Sequence, residues 1–276
     1  MDVLPHAILL VGVALVAFPI YVALVASTQT VADIVGGPMP LLPGSHGLET
    51  YRDALFVGST LRSSGAVVSR MLLNSLVMAL VIAIGKIAIS IISAYAVVFF
   101  RFPLRMVFFW MIFVTLMLPV EVRIVPTYKV VAALGMVDSF AGLTIPLIAS
   151  ATATLLFRQF FLTIPDEMVE AAKIDGAGPL RFFWDTVLPL SRTNIAALFV
   201  ILFIYGWNQY LWPLLVTNSP SMTTIVIGIK TLMGGGDAQT EWNLVMATAV
   251  LAMLPPIAVV VLMQRWFVKG LIESEK

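Results

Sequence analysis

The chain has 276 residues, of which 60% are hydrophobic and 11% charged, with a formal charge of +1. Soluble domains carry about a quarter charged residues, so this much apolar surface implies a lipid environment, and the near-neutral balance excludes a nucleic-acid footprint. Cysteine is absent, and His6 and His46 have no partner histidine at helical spacing, which excludes disulfides, thiolate chemistry and a zinc centre.

A bilayer crossing needs about 20 mostly apolar residues. The apolar runs predict spans at 7–27, 71–99, 106–126, 141–163, 193–216 and 244–267, an all-α membrane protein of about six helices forming a single domain over 1–276. The first run lacks a basic n-region and exceeds the roughly 7–15 residues of a signal h-region, so it is read as a retained span. A polar stretch follows, rich in Gly, Pro and Ser (Gly36-Gly37-Pro38, Pro43-Gly44-Ser45), and reads as an ordered loop or short domain outside the bilayer.

Polar groups inside the apolar runs come next. Lys86 lies near the middle of the second run, where a charge costs several kcal/mol unless it faces a path, snorkels or finds a partner. Glu121 and Arg123 follow Pro119 at the end of the third run; as i and i+2 they diverge on a regular helix, so either the helix breaks there or each has its own partner. The fifth run holds Trp207, Asn208, Gln209, Tyr210 and Trp212 together. An aromatic belt accounts for the rings alone, but Asn208 and Gln209 are costly against lipid and point to a path or a subunit interface. Between the last two spans, Met233-Gly234-Gly235-Gly236-Asp237 reads as a flexible tip.

With the N-terminus inside, nine basic residues lie on the inner side (Arg101, Arg105, Arg158, Lys173, Arg181, Arg192, Arg265, Lys269, Lys276), and six lie on the outer side, where the loops are longer (Arg52, Arg62, Arg70, Arg123, Lys129, Lys230). Basic density therefore predicts both termini on the cytoplasmic side.

The inner connection between the fourth and fifth spans, about 164–192, is dense in charge (Asp166, Glu167, Glu170, Lys173, Asp175, Arg181, Asp185, Arg192), so it belongs in water. It is nevertheless patterned as structure. Pro165 suits a first helical turn, and Asp166 and Glu167 suit its positive dipole end. Asp175-Gly176-Ala177-Gly178-Pro179 combines a left-handed cap with a helix-starting proline. A second short helix is expected to carry Leu180, Phe183, Trp184, Val187 and Leu188 on overlapping faces and to stop at Pro189.

Glu170-Ala171-Ala172, three residues, Gly176, nine residues, and Thr186-Val187-Leu188-Pro189 match the EAA loop of ABC-importer permeases, with Thr186 where isoleucine is usual. The whole chain resembles the maltose-type sugar branch of that family and, within it, the membrane subunits of sn-glycerol-3-phosphate importers. Phe100-Arg101-Phe102-Pro103-Leu104-Arg105, Leu118-Pro119-Val120-Glu121-Val122-Arg123, Leu156-Phe157-Arg158-Gln159-Phe160-Phe161 and Tyr205-Gly206-Trp207-Asn208-Gln209-Tyr210-Leu211-Trp212-Pro213 carry that likeness.

The resemblance implies a type I importer transmembrane domain that lines half of an alternating-access path in the bacterial inner membrane. Its implied partners are a second permease subunit, two copies of an ATP-binding subunit and a periplasmic solute-binding protein, besides membrane lipid. Glu170, Ala171, Ala172, Gly176, Leu188 and Pro189 would dock the ATPase. Lys86, Glu121, Arg123, Trp207, Asn208, Gln209 and Tyr210 would line the path, and Gly234, Gly235, Gly236 and Asp237 would reach the binding protein.

No cofactor is expected in this chain, ATP and magnesium being held by the partner. Gly85-Lys86 is followed by Ile87 and preceded by leucine at position 80, so no P-loop is present. Nor is there a nucleophile–base constellation for an enzyme. Glu121 and Arg123 speak against an uncharged maltose-like sugar on the same scaffold, because a phosphate ester needs cationic partners and a sugar does not, with glycerophosphodiesters left open. A secondary transporter would show internal repeats, and none is visible.

Overall fold

The computed structural model describes residues 3–59, 67–115, 118, 120–234 and 240–273, with the side chains of 3, 120, 121 and 267–273 left aside. Among the described residues the only regular secondary structure is helical. The chain divides into two compact units, one made of Met1–Ser75 and Asn218–Ile257 and the other of Leu76–Thr217 and Ala258–Lys276.

In the first unit, α1 (Val3–Ala26) is 24 residues long and apolar on every face. Its first five turns are almost wholly exposed, as expected of a helix whose neighbour is lipid. Two short helices follow, α2 (Val31–Val35) and α3 (Gly47–Phe56). Thr30 and Asp33 form a reciprocal capping box at the start of α2. The side chain of Thr30, and then its backbone N–H, hold the Asp33 carboxyl below the usual carboxylate range. These elements make residues 30–56 of the polar stretch after the first span a structured segment, as the turn-rich composition suggested.

Helix α4 (Val68–Phe99) runs 32 residues without a break. Asn74, fully buried near its start, donates from Nδ2 to the carbonyls of Ser221 and Thr223 at 2.8 and 3.0 Å. Ser75 Oγ accepts from the Ile225 N–H at 2.8 Å, tying down the segment that leads into a later helix.

The second unit departs from the expected uninterrupted spans. The third run splits into α5 (Arg105–Val114) and α6 (Val120–Ala133). The fourth is α7 (Phe140–Thr144) with a 3₁₀ turn Ile145–Leu147, then α8 (Ala151–Phe161), bent by 45°. Pro146 sits in the first residues of the 3₁₀ turn, where its missing N–H costs nothing. Ser150 caps α8 through its side chain, which accepts from the Ala153 N–H. The Ser150 carbonyl, which already accepts the Thr154 N–H in the first turn of α8, also accepts from the hydroxyls of Ser90 and Thr154 at 3.1 and 2.9 Å. An interruption at membrane depth survives when its backbone groups are satisfied in this way.

Helices α9 (Asp166–Ile174), α10 (Pro179–Phe182) and α11 (Leu188–Leu190) make up the inner connection, with a π turn Phe183–Val187 joining the last two. The helical run ends at Leu190, one residue past the expected stop at Pro189. The proline lies inside a continuous helical run, and the π turn absorbs it, the Leu188 N–H reaching back five residues to the Phe183 carbonyl. A widened turn avoids the clash of the proline ring with the preceding turn and tolerates its missing donor. The chain then bends by 70° into α12 (Arg192–Trp207).

The fifth run also breaks, with α12 ending at Trp207 and α13 (Leu211–Val216) following. Restarting at Leu211 places Pro213 in a first turn. After a 3₁₀ turn Pro220–Met222 come α14 (Ile225–Met233) and α15 (Trp242–Glu273), which stays helical through Pro255 and Pro256. Among the described residues three helices are thus long and apolar enough to cross a membrane, or up to five spans if each bent pair counts as one.

The second unit combines a close helix contact with bulky buried rings such as Phe157, Phe161 and Phe203. A Cβ on Gly206 would lie 2.9 Å from the Ala79 Cα, so α12 touches the α4 backbone at that point. Small residues allow such approach, and dispersion rather than water expulsion drives helix pairing in lipid. Phe203 and Trp207 stack at 5.9 Å on the same stretch of α12.

Candidate functional site

Two places in the second unit concentrate polar chemistry. The first is a cavity of about 650 Å³. Lys86, Ile89 and Ser93 line it from one stripe of α4, spaced three and four residues apart. Arg123 enters from α6, Tyr205 from α12, Ser150 from the bend before α8, and Thr152 and Thr154 from the first turn of α8. A neighbouring cavity of about 130 Å³ shares Lys86, Arg123, Ala149 and Tyr205 and adds Thr127, Gln209 and Trp212. Both interruptions of the helices, near Ala149 and near Gln209, therefore open onto cavity rather than onto lipid, the setting in which irregular backbone is tolerated in membranes.

Lys86 is only 7% exposed, and its Nζ stands 3.8 Å from the centroid of the Tyr205 ring, within cation–π range. Gln209 Nε2 donates to the Tyr205 carbonyl at 3.2 Å, and Trp212 Nε1 to the Gly142 carbonyl at 3.1 Å. Arg123 is exposed to the cavity, and Thr127, one turn on, donates to its carbonyl at 2.8 Å. Among the described residues neither cation has a carboxylate within ion-pair distance, and neither cavity is lined by one.

Of the residues expected to line a path, Lys86, Arg123 and Gln209 come together here. Trp207 is buried against Phe203, Asn208 is exposed at the end of α12, and Tyr210 precedes α13; none of the three lines either cavity. The Glu121 side chain lies outside the described residues, as do Gly235, Gly236 and Asp237, while Gly234 closes α14. Tyr205 was missed as a site residue. Its neighbours drew attention through their composition, but a tyrosine in an apolar run carries no signal of which cation will lie over it.

The second place is the inner connection. Helix α9 starts one residue later than expected, with Pro165 as an extended cap, and Asp166 and Glu167 fill its first turn. It closes in a Schellman motif. Gly176 has φ +73°, its N–H bonds the Lys173 carbonyl, and the Ala177 N–H bonds that of Ala172 at 2.8 Å. Pro179 opens α10 at its first position, as read from the sequence.

Glu170 and Ala171 are exposed, as is Gly176, and Ala172 is half-buried. Leu188 and Pro189 are half-buried too. Phe182, Phe183 and Val187 turn inward, whereas Ile174, Leu180 and Trp184 are left 85%, 76% and 62% exposed. A run of exposed apolar side chains on a charged segment has the composition of a docking surface. Tyr95 on α4 anchors the segment from within, its hydroxyl donating to the Pro179 carbonyl at 2.7 Å and its ring packing on Phe182 and Phe183.

A polar recess in the first unit, lined by Gln29, His46, Glu49, Asp53, Glu241 and Asn243, went unnoticed in the sequence because its members are far apart. Ser59 donates to the Glu241 carboxylate at its edge. Among the described residues no three metal-ligating side chains have the geometry to hold an ion.

Bent spans around a polar cavity, with a capped helix pair exposed beside them, define a transport component. The chain belongs to the family described as binding-protein-dependent transport system inner membrane component, whose pattern matches residues 86–273, and it is accordingly a multi-pass inner-membrane permease component. It is 64% identical over 275 residues to the sn-glycerol-3-phosphate transport system permease protein UgpE of Brucella melitensis, covering 100% of this chain and 97% of that one. The UgpE proteins of Agrobacterium fabrum and Pectobacterium atrosepticum are 65% and 59% identical over 99% and 100% of this chain, and over 97% and 98% of their own. A bacterial ABC transporter involved in the import of the acidic polysaccharide alginate shares the fold, with a TM-score of 0.80 at 21% identity over 96% of this chain and 95% of that one.

Proposed function

We propose that this chain is the transmembrane permease subunit of an ATP-driven importer for sn-glycerol-3-phosphate. It lines half of the path and transmits the work of a separate ATPase through α9 and α10. The full-length identity to permeases named for that substrate carries this reading. The cavity's chemistry is consistent with it, because an anionic ester needs cationic partners at each stop across a membrane, and Arg123 presents a planar fork suited to phosphate.

In the complex the chain pairs with a second permease subunit and with two copies of an ATP-binding subunit that supply ATP and magnesium chemistry. A periplasmic solute-binding protein delivers the substrate. Both termini and α9 face the cytoplasm, in line with the basic residues. Glu170 and the exposed Ile174, Leu180 and Trp184 meet the ATPase, and the tip at 234–237 meets the binding protein.

The test is uptake of labelled sn-glycerol-3-phosphate into vesicles holding the reconstituted complex, with binding protein outside and ATP inside. Glu170→Lys, which replaces attraction by repulsion, should abolish ATPase binding or substrate-stimulated hydrolysis. Gly176→Val should do the same, because a left-handed residue with a Cβ costs about 1–2 kcal/mol and more when β-branched. Wild-type vesicles that do not take up the ester overturn the substrate. Full transport by both variants at normal expression overturns the docking role.

A further inference from the structure

Lys86 is a buried cation whose nearest described counterpart is a ring rather than an acid. A charged side chain inside a span is costly, and an ordinary structural lysine meets that cost with a carboxylate or by snorkelling to the interface. Among the described residues this one does neither. It is near the middle of the 32-residue α4, and its ammonium lies over Tyr205. The cavity beneath it holds a second cation, Arg123, and several hydroxyls. Two like charges that share a cavity repel each other and disfavour the empty state. A ring face can offset one of them without adding a negative charge that would later repel an anion.

We infer that Lys86 and Arg123 are the two halves of one anion subsite in the path, and that Tyr205 is the resting place of the Lys86 ammonium when no anion is there. The ligand class is a phosphate ester, whose monoester form carries about 1.5 to 2 negative charges at neutral pH. Entry of the ester draws the ammonium from the ring onto a phosphate oxygen while Arg123 takes others through its fork. Departure returns the ammonium to the ring. The resting contact keeps the subsite assembled and its affinity moderate, which a transport path requires, since tightly held substrate does not leave. This rests on the permease reading above and adds to it the residue pair that handles the charge.

The experiment uses the reconstituted complex with its binding protein, scored for uptake of sn-glycerol-3-phosphate and, separately, for recovery of the assembled complex by size exclusion. Lys86→Gln should lower uptake about tenfold, the scale of one strong charge contact. Lys86→Arg should recover part of it. Tyr205→Phe keeps the ring face and should retain more uptake than Tyr205→Leu, which removes it and should lower uptake about threefold, within the range of a cation–π contact. The double variant Lys86→Gln with Tyr205→Leu should be no worse than Lys86→Gln alone, because the ring acts only through the ammonium.

Uptake unchanged in Lys86→Gln overturns the inference while leaving the substrate standing. Additive losses in the double variant overturn the resting role of Tyr205. A wild-type complex that carries an uncharged sugar and ignores the ester overturns both the inference and the reading beneath it. Should Lys86→Gln fail to assemble, the Tyr205→Phe and Tyr205→Leu pair decides the matter alone, and equal uptake by those two variants overturns the inference.

Discussion

At the scale of single residues, charge in an apolar run was the clearest signal in the sequence. Lys86 and Arg123 stand out there because few ionisable groups are tolerated among so many aliphatic ones, and both line the same cavity. Their setting was not legible. Whether Lys86 snorkelled, paired or faced a path depends on what α12 brings opposite it, and Tyr205 lies 119 positions away in the chain. The aromatic and amide cluster after Tyr205 was a weaker guide, since Gln209 reaches the cavity while Trp207 packs against Phe203.

Arg123 carries the residue-scale prediction. Arg123→Ala should slow sn-glycerol-3-phosphate uptake about tenfold or more with the complex still assembled, the scale of a charge-assisted bidentate contact. Arg123→Lys should recover only part, because it keeps the charge without the fork. Uptake into vesicles beside an assembly check measures both, and an unimpaired alanine variant would move the phosphate contact to Lys86 or to the partner subunit.

At the scale of elements, periodicity and punctuation located the helices well and their interruptions poorly. The cap at Gly176 and the start at Pro179 were readable because each rests on a local rule: glycine tolerates positive φ, and proline needs no donor in a first turn. Pro189 marked a boundary in the same way, the helical run ending one residue later at Leu190 before a 70° bend. The Phe183–Val187 turn widens to accept the ring, and Phe182, Phe183 and Val187 pack inward strongly enough to keep the run helical. Hydropathy does not register a bend, so runs at 106–126, 141–163 and 193–216 looked continuous. At the break in 141–163 the restart is held by Ser150, whose side chain caps α8 and whose carbonyl accepts from the Thr154 N–H and the Ser90 hydroxyl.

The close approach of α12 to α4 supplies a prediction at this level. Gly206→Ala places a methyl 2.9 Å from the Ala79 Cα, and backbone cannot rotate out of the way. Overpacking of this kind costs about 1–3 kcal/mol. The purified complex should therefore lose thermal stability in detergent, read by the temperature of aggregation or of subunit dissociation. An unchanged temperature would mean that the two helices separate more easily than their contact implies.

At the scale of the whole chain, orientation is the open physical quantity. Basic residues are denser in the loops assigned to the cytoplasm, and translocation of short loops follows that bias. A reporter fused after Lys276, and another inserted within 165–185, should both read as cytoplasmic. An outside signal from either overturns the arrangement and with it the docking role of α9.

By itself the sequence determined that this protein lives in a membrane as helices, and that a capped, charged segment interrupts them at one particular loop. Those properties follow from composition, from hydrogen-bond self-sufficiency in lipid and from residue spacing over a few turns. Only the tertiary structure decided where the spans break, which polar side chains face a common cavity, and that the Lys86 ammonium rests on a ring. Each of these is a contact between segments remote in sequence, set by packing and by the satisfaction of freed backbone groups, and no local pattern encodes which distant partner will supply them.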